Sequence, residues 1–167
     1  GTLEDVLEFV TSAPLSSNTI IKSADLDGDG TSEILLMGSR MDIIDISYDP
    51  VNQSFSYTEY CDVFDWHDKI TFGDFNGDGL DDIIIIEESV DFACYLYTGR
   101  EDLNLFVNSG WLDDFTLQGN SISTGDFDGD GKTELFLKKT VNSADILSLD
   151  ETNTNMIVKY TLAHVDE

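Results

Sequence analysis

One acidic nine-residue pattern occurs three times at near-constant spacing: Asp25-Leu-Asp-Gly-Asp-Gly-Thr-Ser-Glu33, Asp74-Phe-Asn-Gly-Asp-Gly-Leu-Asp-Asp82 and Asp126-Phe-Asp-Gly-Asp-Gly-Lys-Thr-Glu134. Oxygen-bearing side chains at positions 1, 3 and 5 fall on one side of a tightly curled backbone, where a hard cation needing roughly 6–8 oxygens can sit. Glycine at position 6 (Gly30, Gly79, Gly131) permits a turn that a Cβ would obstruct. Position 7 is expected to offer its carbonyl, so that the side chain there matters little, and the carboxylate at position 9 closes the cage. The expected ligands are therefore Asp25, Asp27, Asp29, Thr31 and Glu33 in loop one. They are Asp74, Asn76, Asp78, Leu80 and Asp82 in loop two, and Asp126, Asp128, Asp130, Lys132 and Glu134 in loop three. Each set predicts one Ca²⁺, three in all. A single copy would pass as a solvated Asp/Gly turn. Three in-register carboxylate clusters repel themselves unless a cation is bound.

An EF-hand opens in the same way but needs a bidentate Glu at position 12 and flanking helices. Position 12 here is Leu36, Ile85 and Leu137, which excludes it. The apolar runs that follow each loop, Ile34–Met37, Ile83–Ile86 and Leu135–Leu137, read as buried strands. The loop is thus a metal-bound turn between two strands. The first aspartates are separated by 49 and 52 residues, a period that suits one four-stranded propeller blade per repeat. The predicted strands are 19–23, 33–37, 42–48 and 54–60; then 69–72, 83–87, 92–97 and 103–107; then 121–124, 135–138, 144–149 and 156–162. Leu3, Val6, Leu7 and Val10 follow helical spacing up to Pro14 and predict a short N-terminal capping helix. The expectation is an all-β fold of three tandem four-stranded propeller-like blades with Ca²⁺-binding loops. It forms a single repeat domain over 1–167: a cap at 1–18 and repeats at 19–60, 61–110 and 111–167.

The loop signature followed by an apolar strand, repeated about every 50 residues, resembles the FG-GAP repeats of integrin α-subunit propellers and their bacterial VCBS-type relatives. The resemblance spans residues 19–162 and implies Ca²⁺ held within propeller blades. The Phe-Gly that precedes the family's loop survives here as Phe72-Gly73, with Ser23-Ala24 and Thr124-Gly125 at the other two, and there is no Gly-Ala-Pro triplet. Integrin-type partner recognition is therefore unsupported. Propellers close with typically four to eight blades. Three repeats leave open a fragment of a longer propeller, an open capped array, or a protomer that completes a ring or filament with other copies.

The net charge is −26, from 34 acids against 8 Lys and Arg, and eleven of the acids lie at loop ligand positions. Even with three Ca²⁺ bound the chain stays strongly negative, which argues against nucleic acid and anionic membranes as partners. No apolar run is long enough to span a bilayer, and residues 1–20 lack the layout of a signal peptide. Gly1 reads as a processing boundary. Cys61 and Cys94 allow at most one internal disulfide and do not fix the redox compartment. Ca²⁺ loops of modest affinity fill where Ca²⁺ is millimolar, so an extracellular or cell-surface location is expected. Asn52-Gln-Ser54 matches a glycosylation acceptor pattern.

No nucleophile elbow, phosphate-cradling loop or paired-histidine motif is present, so no catalytic residue is assigned. Trp66 with His67, and Trp111, sit beside carboxylates in Asp65-Trp-His-Asp68 and Trp111-Leu-Asp-Asp114. That arrangement suits sugar stacking, though packing of each Trp between adjacent blades is the reading it favours first. The resulting expectation is a non-catalytic, extracellular binding or adhesion module presenting a protein or glycan. The alternatives are a self-assembling surface-fibre protein that pairs through open blade edges, and an accessory domain of a secreted polysaccharide-degrading enzyme.

Overall fold

The computed structural model describes residues 19–37, 41–62, 69–87, 93–100, 103, 108–111, 121–153 and 155–163. These residues contain twelve strands and no helix. In chain order the strands are β1 (Ile20–Ala24), β2 (Glu33–Met37), β3 (Met41–Asp49), β4 (Ser54–Asp62), β5 (Lys69–Gly73) and β6 (Asp82–Glu87). They continue as β7 (Ala93–Tyr97), β8 (Asn108–Trp111), β9 (Ile122–Gly125), β10 (Glu134–Thr140), β11 (Ser143–Leu149) and β12 (Met156–Ala163). They form three open, four-stranded antiparallel meanders, β1-β2-β3-β4, β5-β6-β7-β8 and β9-β10-β11-β12. Each acidic loop joins the first two strands of its own sheet.

The second strands of the first two sheets carry unbroken apolar runs, and burial explains why. Ile83 to Ile86 of β6 are all fully buried, and Leu35 to Met37 of β2 are buried in succession. A strand covered on both faces reads as a continuous apolar run rather than an alternating one. The β3–β4 hairpin turns where Asp49 Oδ1 accepts the Val51 N–H at 2.8 Å and the Asn52 N–H at 3.2 Å. The Asn52 amide donates to Asp49 Oδ2, and these bonds, the Asn52 side chain first, hold the Asp49 carboxyl below its ordinary range. Asp150 plays the same part before β12, accepting from Thr152 N at 3.1 Å.

The contacts divide the chain into two compact units. One holds β1–β4; the other holds residues Asp25–Thr31 together with β5–β12. In the second unit Phe75, Ile84, Ile86, Leu96, Leu135, Leu137, Leu147, Leu149 and Met156 form one core, with Ile122 packed against it. That core draws on both the second and third sheets. The strands β5 and β9 also meet through Thr124, whose hydroxyl donates to Phe72 O at 3.1 Å and lies 3.2 Å from the Thr71 hydroxyl.

Eleven strands fall where the apolar runs predict them, to within two residues at each end. The eighth does not. Instead of residues 103–107, the strand beside β7 is Asn108–Trp111, with Tyr95 opposite Trp111 and Tyr97 opposite Asn108. Leu103 lies outside any strand, buried, with φ of 49° and its N–H donating to Arg100 O at 3.1 Å, and residues 104–107 of the expected strand lie outside the described residues. Trp111 consequently belongs to the second sheet rather than to a connection between repeats. The expected helix at residues 3–10 lies outside the described residues.

Candidate metal centre

The three loops are built by one set of side-chain-to-backbone bonds. The carboxylate at position 1 accepts the N–H of position 4 on one oxygen and of position 6 on the other. For Asp25 these bonds come from Gly28 at 2.8 Å and Gly30 at 3.1 Å. For Asp74 they come from Gly77 at 2.6 Å and Gly79 at 2.9 Å, and for Asp126 from Gly129 at 2.6 Å and Gly131 at 3.1 Å. The position 3 side chain accepts from position 5, as Asp27 does from Asp29 N at 3.0 Å. Position 5 accepts from position 7, as Asp130 does from Lys132 N at 2.9 Å. Asp29 is held below the usual carboxylate range by its bonds from Thr31. Both glycines of each loop need the left-handed region, with φ of 77° and 87° at Gly28 and Gly30, so position 4 is constrained as much as position 6.

Curling the backbone in this way brings the carboxylates together. One oxygen from each of Asp25, Asp27 and Asp29 lies within 4.8 Å of the others, as does one from each of Asp126, Asp128 and Glu134. Like charges this close are mutually repulsive, and a hard, oxygen-seeking cation relieves the repulsion. The donor set therefore fits Ca²⁺ in loops one and three.

Loop two differs. Asn76 Oδ1 takes the bond from Asp78 N at 2.8 Å, which turns the amide NH₂ toward Asp78 Oδ2 at 3.0 Å and Asp82 Oδ1 at 3.3 Å. A donor thus stands where an oxygen is expected, and the neutral amide already bridges two of the acids.

The position 9 carboxylates Glu33, Asp82 and Glu134 are fully buried. Asp82 and Glu134 hold their loops as much as they face them. Asp82 Oδ2 accepts from Phe75 N at 3.0 Å and Asn76 N at 3.2 Å, while Oδ1 accepts from Gly99 N at 3.0 Å. Burial still raises the Asp82 carboxyl to about 7 despite these donors. Glu134 Oε2 accepts from Phe127 N at 2.8 Å, and its Oε1 faces the loop.

Consecutive loops dock on one another by a repeated bond that sequence reasoning misses. The N–H at position 8 donates to the carbonyl at position 1 of the preceding loop: Asp81 N to Asp25 O at 2.9 Å, and Thr133 N to Asp74 O at 2.7 Å. Asp81 also accepts from Asp25 N at 3.1 Å, and its partial burial, with Asp25 and Asp74 nearby, raises its pKa. The position 7 side chains, expected to be indifferent, cover the position 4 glycine of the loop before. A Cβ on Gly28 would fall 2.3 Å from Leu80, and one on Gly77 would fall 2.7 Å from Lys132.

A second missed residue is Lys159. Its ammonium lies inside loop three, paired with Asp128, with Asp130 at 2.9 Å and with Glu134 at 3.2 Å. These carboxylates, Asp128 foremost, raise its pKa further, and Lys159 and Lys132 in turn lower that of Asp130.

Trp66 and His67 lie outside the described residues, as does the side chain of Trp111, and so do the side chains of Cys61 and Cys94. No helix among the described residues is long and apolar enough to cross a membrane. Residues 74–137, from the first residue of loop two into β10, match the family described as FG-GAP-like repeat. No curated protein and no solved structure matches the chain.

Proposed function

We propose, from the premise that the chain carries an FG-GAP-like repeat, that it is a Ca²⁺-stabilised extracellular binding or adhesion module. In this reading the three sheets are propeller-type blades. The ions are structural, and the connections between sheets present a protein or glycan ligand. The observation that carries the reading is the convergence of acidic oxygens within 4.8 Å in loops whose backbone curl is fixed by those same carboxylates. A Ca²⁺ ion at each loop would offset local repulsion and stabilise the folded chain by linkage. It would supply charge neutralisation only, with Asp25, Asp27 and Asp29 as its holders in loop one, Asp126, Asp128 and Glu134 in loop three, and the carboxylates Asp74, Asp78 and Asp82 in loop two. Calorimetric titration of chelator-treated protein with Ca²⁺ tests this. Uptake with a rise in melting temperature is expected; absence of either refutes it.

One observation favours a second reading, self-association through β12. This strand ends its sheet, and Ile157, Val158, Tyr160 and Leu162 are about half exposed on it. An apolar edge with no neighbouring strand among the described residues is a template for another copy. Light scattering at high protein concentration in millimolar Ca²⁺ should then show assemblies that Val158→Lys disperses, whereas a strictly monomeric species excludes the reading.

A further inference from the structure

The lysine in loop three is placed there by a specific irregularity. Along the β11–β12 pair, Ile146 faces Tyr160 but Leu147 faces Val158, so the register slips by one residue and Lys159 is the extra residue of the longer strand. A bulge of this kind bends the strand and re-aims a side chain out of the regular alternation. Here the side chain is aimed at an acidic loop 25 to 31 residues earlier in sequence, and the three carboxylates it meets come from positions 3, 5 and 9. Two of them, Asp128 and Glu134, belong to the trio whose oxygens converge within 4.8 Å. The ammonium and an incoming metal ion would therefore compete for the same oxygens.

We propose that Lys159 is a built-in counter-cation which occupies loop three when Ca²⁺ is absent and must be displaced for Ca²⁺ to enter. The inference rests on the reading that these loops take up Ca²⁺. Its consequence is that loop three does not behave as the bare motif would. A site open only a fraction of the time shows an affinity reduced by that fraction, so an ammonium resident about nine-tenths of the time weakens apparent binding about tenfold. The chain's affinity for the ion at that loop is set partly by a residue on the far strand of the sheet, and ion entry releases that residue's side chain.

The test compares wild type with Lys159→Met, which keeps most of the aliphatic stem and removes the charge, and with Lys138→Met, which removes an exposed charge from the same sheet. In calorimetric Ca²⁺ titrations, Lys159→Met should tighten one class of sites about tenfold or more and leave the others unchanged, while Lys138→Met follows wild type. Identical isotherms for Lys159→Met and wild type overturn the proposal, as does equal tightening by both variants. If no form takes up Ca²⁺, the proposed function fails, and melting in chelator then judges the lysine by itself. A lower melting temperature for Lys159→Met than for Lys138→Met upholds its counter-cation role, and equal temperatures overturn it. Should Lys159→Met not fold, nitrogen-detected NMR of the wild-type ammonium groups decides. A slowly exchanging lysine signal in chelator that is lost on Ca²⁺ addition supports displacement, and its absence in chelator or persistence in saturating Ca²⁺ refutes it.

Discussion

Gly99 is the position where a single added methyl should do the most damage. It is buried just after β7, and a Cβ there would lie 2.5 Å from Asp81 O, 2.8 Å from Leu26 O and 2.8 Å from Leu80 Cβ. Two of those atoms are backbone oxygens of loops one and two, and backbone, unlike the far end of a side chain, cannot swing aside; Asp81 is moreover held through its N–H to Asp25 O. Relief requires the chain at residues 99–100 to withdraw. That withdrawal would stretch the bonds from Gly99 N to Asp82 Oδ1 at 3.0 Å and from Arg100 N to Leu26 O at 2.9 Å. Overpacking costs about 1–3 kcal/mol, and losing a hydrogen bond to a charged group costs about 1.5–3 kcal/mol more. Gly99→Ala should therefore lose about 3–5 kcal/mol, and at about 2–4 °C per kcal/mol for a chain of this size its melting temperature should fall by roughly 10 °C. Gly129→Ala is the contrast: its φ is 79° but nothing lies within 4 Å of the new Cβ, so only the left-handed strain of about 1–2 kcal/mol applies. Circular dichroism melts in millimolar Ca²⁺ measure both. A Gly99→Ala variant melting within about 2 °C of wild type, or above Gly129→Ala, would refute this account of how the loops pack.

Asp27→Ala should lower the melting temperature by several degrees in Ca²⁺ and change it little in chelator, because the linkage term, about 2.7 kcal/mol at a hundredfold excess over Kd, exists only when the ion binds. Phe75→Ala should cost about 3–5 kcal/mol in denaturant unfolding, since that ring is fully buried in the core shared by the second and third sheets. The Asp82 carboxyl, raised to about 7 by burial, should titrate near neutrality in carbon-detected NMR of chelator-treated protein; a midpoint near 4 would contradict it. Because this pKa is raised on folding, the folded chain binds the extra proton between about pH 4 and 7, so Asp82's contribution to stability falls as pH rises through that window and is least favourable above it. Saturating Ca²⁺ should flatten that dependence.

The strands were legible because burial leaves a direct trace in composition: Ile83–Ile86 is apolar on both faces and could hardly be anything else. β8 was illegible for the opposite reason. Asn108-Ser-Gly-Trp111 has no β-branched residue, and its place is set by pairing to β7 rather than by its own preference. The curl of the acidic loops could be read because the bonds that shape it are local, two to five residues apart. Lys159 could not, since its placement depends on a slipped register in a strand 29 residues beyond Asp130. The covering role of the Leu80 and Lys132 side chains was illegible because counting ligands assigns position 7 only a carbonyl.

The joint between successive loops, from the eighth N–H to the first C=O of the loop before, consists wholly of main-chain atoms. Drift at any side chain leaves it intact, apart from a proline at the donor, which removes the N–H. Neighbouring loops can therefore diverge in the side chains gathered around them, as Asn76 and Lys159 show, and still dock. Such a joint treats each loop as an exchangeable cassette. A loop replaced as a whole keeps this bond through atoms that every residue but proline provides, and only the covering side chain at position 7 and the Asp81 carboxylate need matching to the neighbour.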